Sequence, residues 1–280
     1  MTLNNNISEN TKDSRQNLLN TNTTSFDTIY IYECDDTAEG IFTAIYKAWE
    51  KGTRCTDVRV RSTNANFSLF ENIVDVATDY ETADKVLRSI RNKLSDDILF
   101  YIYRASLSFA DDKASVIYHY LQKAFRCGAS IVNALSDETV MRIFELDRQV
   151  GTEAHKYLGF VRFEELENGV LSSRIDPKSN ILPLISDHFA DRLHNENWII
   201  LDTKRKLASL HQAGISYTFA TNITEAQLLS FSALSAKEKE FQALWSRFIH
   251  TIAIEPRTNR ELQRNMMPLR YRTYMRAEKD

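Results

Sequence analysis

His188 is followed by Asp191 and Arg192 at i+3 and i+4, inside a stretch that reads as one amphipathic helix from Leu182 to Leu193. That spacing lets a carboxylate orient an imidazole, the arrangement that general-base chemistry requires. It is also the spacing of an ordinary pair on a helix face. His194 lies beyond the helix end, near the negative pole of its dipole. Asp187 and Asp191 are four residues apart, but two aspartates without a third ligand do not make a metal site. A few residues on, the apolar run Trp198-Ile199-Ile200-Leu201 opens into Asp202-Thr203-Lys204-Arg205. A buried strand that exits into a charged turn holds that turn firmly, and such turns are favoured places for binding groups. His188, Asp191 and Asp202 are therefore the candidate catalytic side chains of one pocket, with Lys204 and Arg205 as candidate phosphate contacts. The alternative is a solvated helix face and a polar hairpin.

The C-terminal stretch carries a second chemistry. From Pro256 to Ala277 there are six arginines, at 257, 260, 264, 270, 272 and 276, against the single acid Glu261, a net of +5 in a chain of net charge −3. Guanidinium groups match phosphate bidentately, and Tyr271 and Tyr274 among them offer rings on which unpaired bases can stack. Arg257, Arg260, Arg264, Arg270, Arg272 and Tyr271 are the candidate nucleic-acid contacts. The competing reading is that these arginines pair with acids on the chain's own surface.

Cys34, Cys55 and Cys127 form no C-x-x-C pair, so neither a zinc site nor a disulfide framework is expected. Cys34 precedes a helix start, where the dipole favours a thiolate, but Asp35 and Asp36 beside it oppose that charge. It reads as a structural, buried cysteine. Phosphate-loop, dinucleotide-fold, zincin and nucleophile-elbow motifs are absent, which argues against a nucleotide-hydrolysing motor, a dinucleotide oxidoreductase and a zincin. No three-cysteine cluster of radical-SAM type is present, and no cofactor is expected. No run of apolar residues is long enough to span a membrane and no apolar leader stands at the N-terminus, so a cytoplasmic protein is expected.

The elements that must hold these residues are legible in the apolar pattern. With 280 residues, 43% of them hydrophobic and 11% aromatic, the chain can bury a substantial core. Residues 1–27, rich in Asn, Thr and Ser, are expected to be a disordered arm, and 28–280 a single folded body. Thr28–Tyr32 reads as a strand, Asp36 and Glu39 as a capping box, Gly40–Glu50 as a short helix and Val58–Val60 as a second strand. Glu81 to Lys156 turns helical, with faces at Val86-Ile90-Leu94, Ile98 through Phe109, Val116 through Cys127, and Met141 through Val150. The run Tyr157–Phe163 is expected to be a strand, leading through a turn at Asn168-Gly169 into a return strand over Val170–Ile175. The helix 182–193 and strands at 198–201, 206–211 and 215–220 then complete a ββαβββ unit. The fold class is α+β: an antiparallel sheet packed against a helical middle and a small N-terminal α/β unit. Glu238–Ile254 reads as a further helix with Phe241, Leu244, Trp245 and Phe248 on its core face.

Several of these stretches together resemble one bacterial family. They are Tyr32-Glu33-Cys34-Asp35-Asp36-Thr37-Ala38-Glu39-Gly40, Phe160-Val161-Arg162-Phe163, Ile175-Asp176-Pro177-Lys178, His188-Phe189-Ala190-Asp191-Arg192, Trp198 through Arg205, and Ile254 through Arg260. The resemblance runs from Thr28 to Ala277 and is to DNA-metabolism or DNA-repair proteins built on a domain of unknown function. It implies a gene neighbour of radical-SAM type that acts on DNA. In longer members it also implies a fused uracil-DNA-glycosylase-like domain, for which a chain ending at Asp280 is not expected to have room. Pro256 departs from the family pattern. The expectation that follows is a DNA-associated accessory protein in DNA repair or modification, with DNA (single-stranded or damaged) and a radical-SAM protein as partners. Two alternatives stand beside it: a hydrolase or lyase acting on nucleic-acid bases, and a non-enzymatic scaffold whose arginines bind a protein.

Overall fold

The β-branched and aromatic run Ile29–Cys34 forms strand β1 and takes the centre of a parallel sheet. Its neighbours are Thr56–Val60 (β2) and Glu71–Asp75 (β3), in the order β2-β1-β3. This chain is seen as a computed structural model describing residues 29–52, 56–61 and 71–274. The expected N-terminal arm, Cys55 and Arg276 lie outside the described residues. Helix α1 (Ala38–Lys51) follows β1 and buries Ile41, Phe42, Ile45 and Ala48. Its cap differs from the expected Asp36 box: the Thr37 hydroxyl accepts from the Gly40 amide at 3.0 Å. Asp36 is drawn away instead by the buried Lys113 ammonium, 2.5 Å from its carboxylate.

Four helices form the middle: α2 (Tyr80–Lys93), α3 (Asp96–Ser106), α4 (Lys113–Cys127) and α5 (Glu138–Phe160). Val86, Ile90, Ile98, Ile102, Ile117, Leu121, Ile143 and Leu146 pack with Tyr32, Phe42 and Ile45 into a first core. Each such fully buried side chain contributes about 1.5–3 kcal/mol relative to exposure. Phe109 lies past the end of α3 and is exposed, so that helical face is shorter than its apolar pattern suggests.

The long helix α5 joins two cores. Its first half faces the core just described, and its second half (Val150, Ala154 and Tyr157) enters another with Ile175, Ile181, Leu182, Ile185, Phe189, Trp198 and Ile200. This corrects the expected strand over Tyr157–Phe163. Val150, Ala154, Tyr157 and Val161 recur at three- and four-residue steps, so the run belongs to a helix face and Tyr157–Phe160 is its last turn. Gly151 allows a close approach there, since a methyl group at that position would overlap Nη2 of Arg104. That guanidinium donates to the Asp147 carbonyl at 2.8 Å and pairs with its carboxylate at 3.1 Å.

The second sheet has the order β4-β5-β6-β7-β8, built from Glu164–Glu165, Leu171–Ile175, Trp198–Asp202, Leu207–His211 and Thr218–Ala220. The turn between β4 and β5 contains Gly169 at φ 78°, as its Asn-Gly signal requires. Helix α6 (Leu182–Arg192) crosses from β5 to β6, which makes that pair parallel, with Ile175 opposite Asp202. The remaining pairs are antiparallel, so the sheet is mixed. The fold is α+β, with a small parallel sheet at its N-terminal end and a separate mixed sheet packed with helices.

Beyond β8 come α7 (Glu225–Ser230), α8 (Ala236–Ile252) and α9 (Arg260–Met266). Helix α8 touches the body at β4, where Gln242 donates to Glu164 at 3.3 Å and the Glu165 amide donates to Glu238 at 3.3 Å. It buries none of its residues. The expected core face is therefore exposed: Phe241, Trp245 and Phe248 are 61%, 50% and 52% accessible, and Leu244 is similar. No helix among the described residues is long and apolar enough to cross a membrane.

Candidate nucleic-acid interface

Strands β5 and β6 run parallel and end side by side, at Ile175 and Asp202. In open parallel α/β sheets, ligands bind outside the carboxyl ends of the strands, and β5-α6-β6 is one parallel unit of that kind within this mixed sheet. Here two buried carboxylates fix those loops. Glu153 of α5 accepts from the amides of Lys178 and Ser179 at 3.0 and 2.9 Å, anchoring the loop after β5. Asp202 accepts from the amides of Lys204 and Arg205 at 3.1 and 3.0 Å, closing the turn after β6. Lys206 in that turn is held at φ 53°, a left-handed conformation that a non-glycine residue adopts only where its surroundings impose it.

Arg205 ties the two loops together. Its guanidinium lies 3.0 Å from Asp202 Oδ2, donates to the Pro177 carbonyl at 3.1 Å and also donates to the Lys178 carbonyl. Thr203 adds a backbone bond to the Ile175 carbonyl at 3.1 Å. Asp202 is completely buried, and that burial raises its pKa against the pull of Arg205 and the two amides. Asp202 and Arg205 are thus positioning residues, with their polar atoms engaged within the protein.

The frame leaves an open cleft of about 480 Å³ lined by Asp176, Pro177, Lys178, Thr203 and Lys204. Lys178 rests over the ring of Phe109, its ammonium 5.2 Å from the centroid. Among the described residues neither Lys178 nor Lys204 has an ion-pair partner for its ammonium, whereas Arg205 does. A smaller notch adjoins the cleft at Asp176, which lines both, and brings in Arg162, Arg174, Arg270, Tyr271 and Tyr274. Arg174 lies over the Tyr274 ring at 5.5 Å, and Tyr274 shares a hydrogen bond with Thr203 at 3.2 Å.

His188 and Asp191 do not join this cleft. Both are exposed on α6, whose inward face is Leu182, Ile185 and Phe189. His188 meets Phe189 edge-on at 5.1 Å, and no hydrogen bond or ion pair links it to Asp191 among the described residues. The bonded carboxylate on that helix is Asp187, which accepts from the Tyr217 hydroxyl at 2.8 Å. Burial, with that bond, pushes the Tyr217 pKa up to about 12. None of the three candidate catalytic residues lines the cleft or the notch. No group of three His, Cys, Asp or Glu side chains is placed to hold a metal among the described residues.

The basic C-terminal stretch divides in two. Tyr271 is 4% exposed, packed at 5.1 Å against both Tyr157 and Phe160, and so is core and not a platform for bases. Arg270 stacks on it, donates to its hydroxyl at 2.5 Å and lies 3.6 Å from Glu153. Arg272 donates to the Met267 carbonyl at 3.2 Å. Arg257, Arg260 and Arg264 are exposed, and among the described residues their side chains have no ion-pair partner. Sequence reasoning passes over Lys178, Asp176 and Arg174 as site residues. The available signal is a strand ending in Asp-Pro-Lys ahead of a crossover helix.

These features define an α+β protein with a basic cleft at the ends of two parallel strands and an exposed, arginine-bearing helical arm. Residues 111–277 match the model of a family described as a domain of unknown function, DUF4130, and the chain belongs to that family. The match takes in the cleft and the arm. No curated protein matches the chain. A solved structure of a DHH domain, described as a member of a family of ribosomal proteins, is similar at 10% identity and a TM-score of 0.32. That likeness covers 75% of this chain and 88% of that one, and it is too low to carry an argument.

Proposed function

We propose that this chain is a DNA-associated accessory protein in DNA repair or modification, holding a single or distorted strand along its C-terminal arm. The observation that supports this most is the exposure of Arg257, Arg260 and Arg264 with no ion-pair partner among the described residues, in a chain of net charge −3. Three exposed guanidinium groups within eight residues, unpaired among the described residues, are suited to phosphate contacts in an otherwise acidic protein. Trp245 and Phe248 on α8 take over the stacking role first expected of Tyr271. The radical-SAM partner enters through the family resemblance and completes the reading: the present chain holds the strand while the partner supplies the chemistry. Fluorescence anisotropy with single-stranded and duplex oligonucleotides over a salt series tests the strand-binding part. Salt-insensitive binding, or none, removes it.

One observation favours a second reading. The apolar face of α8 includes Leu244 and Ile252 as well as the rings, and aliphatic side chains gain little from bases. An aromatic, aliphatic and arginine surface is also the composition of a protein-binding patch. On that reading the arm docks a protein, and Phe241→Ser with Trp245→Ser abolishes partner binding without changing affinity for oligonucleotides.

A further inference from the structure

We infer that the cleft at the ends of β5 and β6 binds a terminal phosphate, the phosphomonoester of a nucleotide or of a nucleic-acid strand end. For a strand end the inference rests on the strand-binding reading above; for a free nucleotide it does not.

The charge of the site comes first. Lys178 and Lys204 face one cleft, and Arg162, Arg174 and Arg270 adjoin it through the notch that shares Asp176. Of the carboxylates nearby, Glu153 is engaged with two amides and Arg270, and Glu164 with Arg174. Asp176 alone carries an exposed carboxylate into both spaces. With Arg174 and Arg270 paired to Glu164 and Glu153, Lys178, Lys204 and Arg162 face the single carboxylate of Asp176, a net of +2 in a protein that is acidic overall.

The preorganisation comes second. Both loops are pinned from behind by buried carboxylates and by Arg205, so the ammonium-bearing residues stand on a fixed frame. Lys178 is further steadied by the Phe109 ring. A site whose frame is already fixed binds without a large ordering cost.

The ligand class follows from the pairing of charges. A terminal phosphate carries about −1.5 to −2 at neutral pH, which two ammonium groups match better than they match the single charge of a phosphodiester. Asp176 repels phosphate but accepts a hydrogen bond from a sugar hydroxyl or a base amine. It therefore selects a nucleotide over inorganic phosphate.

The test uses the full chain and defined probes. Thymidine monophosphate, thymidine and inorganic phosphate are titrated by calorimetry. Twelve-nucleotide oligothymidylates with a 5′-phosphate, a 3′-phosphate or neither are compared by anisotropy. The monophosphate should bind about tenfold more tightly than thymidine, the effect of one good charge-assisted bond, and more tightly than inorganic phosphate. Lys178→Gln with Lys204→Gln should erase the preference while lowering the thermal midpoint by no more than the lost Lys178–Phe109 contact accounts for. If an end-phosphorylated oligonucleotide shows the same preference, the natural source is a strand end; if only the monophosphate does, it is a free nucleotide. Arg257→Ala, Arg260→Ala and Arg264→Ala together should weaken all oligonucleotides alike and leave the phosphate preference intact, so failure of the arm reading is seen separately. Equal affinity for monophosphate and thymidine, or a preference that survives the double lysine variant, overturns the inference.

Discussion

Arg205 and Asp202 close their own turn twice over: the carboxylate takes the backbone amide at 3.0 Å on one oxygen and the guanidinium at 3.0 Å on the other. Because the same guanidinium reaches the carbonyls of Pro177 and Lys178, one side chain couples two loops. Arg205→Ala should therefore destabilise by about 3 kcal/mol, since it leaves a buried carboxylate uncompensated. Asp202→Asn should cost only about 1–2 kcal/mol, as an amide oxygen can still accept from both backbone donors. Urea unfolding of the two variants checks the order. A fully tolerated Arg205→Ala would show that the turn holds without it. The pH dependence adds a sign. The Asp202 pKa is raised on folding, so its contribution is full below the ordinary carboxylate value of 3.8 and is lost as pH climbs through the raised value. Asp202→Asn should remove that component of the pH–stability curve.

Gly151 and Arg104 make a second, sharper case. In a helix interior Gly→Ala ordinarily stabilises by about 0.5–1 kcal/mol. At this position the added methyl overlaps the Arg104 guanidinium and must displace it from Asp147, whose burial raises its pKa even with that partner in place. The guanidinium is the far end of a flexible side chain and can swing aside, so the cost is that of its charged hydrogen bond to the Asp147 carbonyl and the adjoining ion pair, about 1.5–3 kcal/mol, still more than the propensity gain. Gly151→Ala alone should destabilise, whereas in an Arg104→Ala background it should stabilise. A double-mutant cycle by denaturant unfolding reads the sign directly, and additive effects would mean that the two residues do not meet.

Cys34 supplies a prediction in the alkaline range. Burial, with Asp35 and Asp36 adding to it, pushes its thiol pKa up to about 12 from an ordinary value of 9.0. Below about pH 9 the thiol is neutral in both states and its contribution to stability is complete. Above that, the unfolded chain ionises first, and stability should fall by up to about 1.4 kcal/mol per pH unit until the native value is reached. In a variant with Cys55 and Cys127 replaced by Ser, a thiol reagent at pH 8 should react with Cys34 only at the rate of opening. Rapid labelling of the native protein would contradict this.

Much of the second sheet is legible in the sequence because its signals are local. The Asn168-Gly169 turn, the apolar strand at Trp198 and the periodicity of α6 each depend on residues close in sequence. The parallel pairing of β5 and β6 escapes such a reading because it depends on where α6 returns the chain. Tyr157–Phe163 imitates a strand because a seven-residue apolar window does not reveal that Val150 and Ala154 continue the same helical face. β3 gives little signal because its burial is slight and Ile73 points outward. The site is the least legible part. Charge type marks Lys204 and Arg257 alike, but nothing local tells that Arg205 turns inward, or that Tyr271 closes a core beneath Arg270. In α8 the apolar face is read correctly, but amphipathicity says which side is apolar and not whether anything covers it.

That uncovered arm carries the last prediction. Arg257, Arg260 and Arg264 have no ion-pair partners among the described residues, so replacing all three by Ala removes no packing and should shift the unfolding midpoint by less than about 1 °C. If they hold phosphates, affinity for a single strand should fall and the slope of log K against log salt should flatten by about 0.7 per lost contact, or about 2 in all. Trp245→Ala should weaken strand binding with little change in that slope, since stacking contributes about 1–3 kcal/mol per base without releasing counterions. Arg270→Ala should behave differently from the triple variant. It removes the cation stacked on Tyr271 and the ion pair with Glu153, so it should lower stability as well as affinity. A triple variant that melts markedly earlier than the parent would assign these arginines to the fold. One that keeps full affinity and slope would move strand binding off the arm.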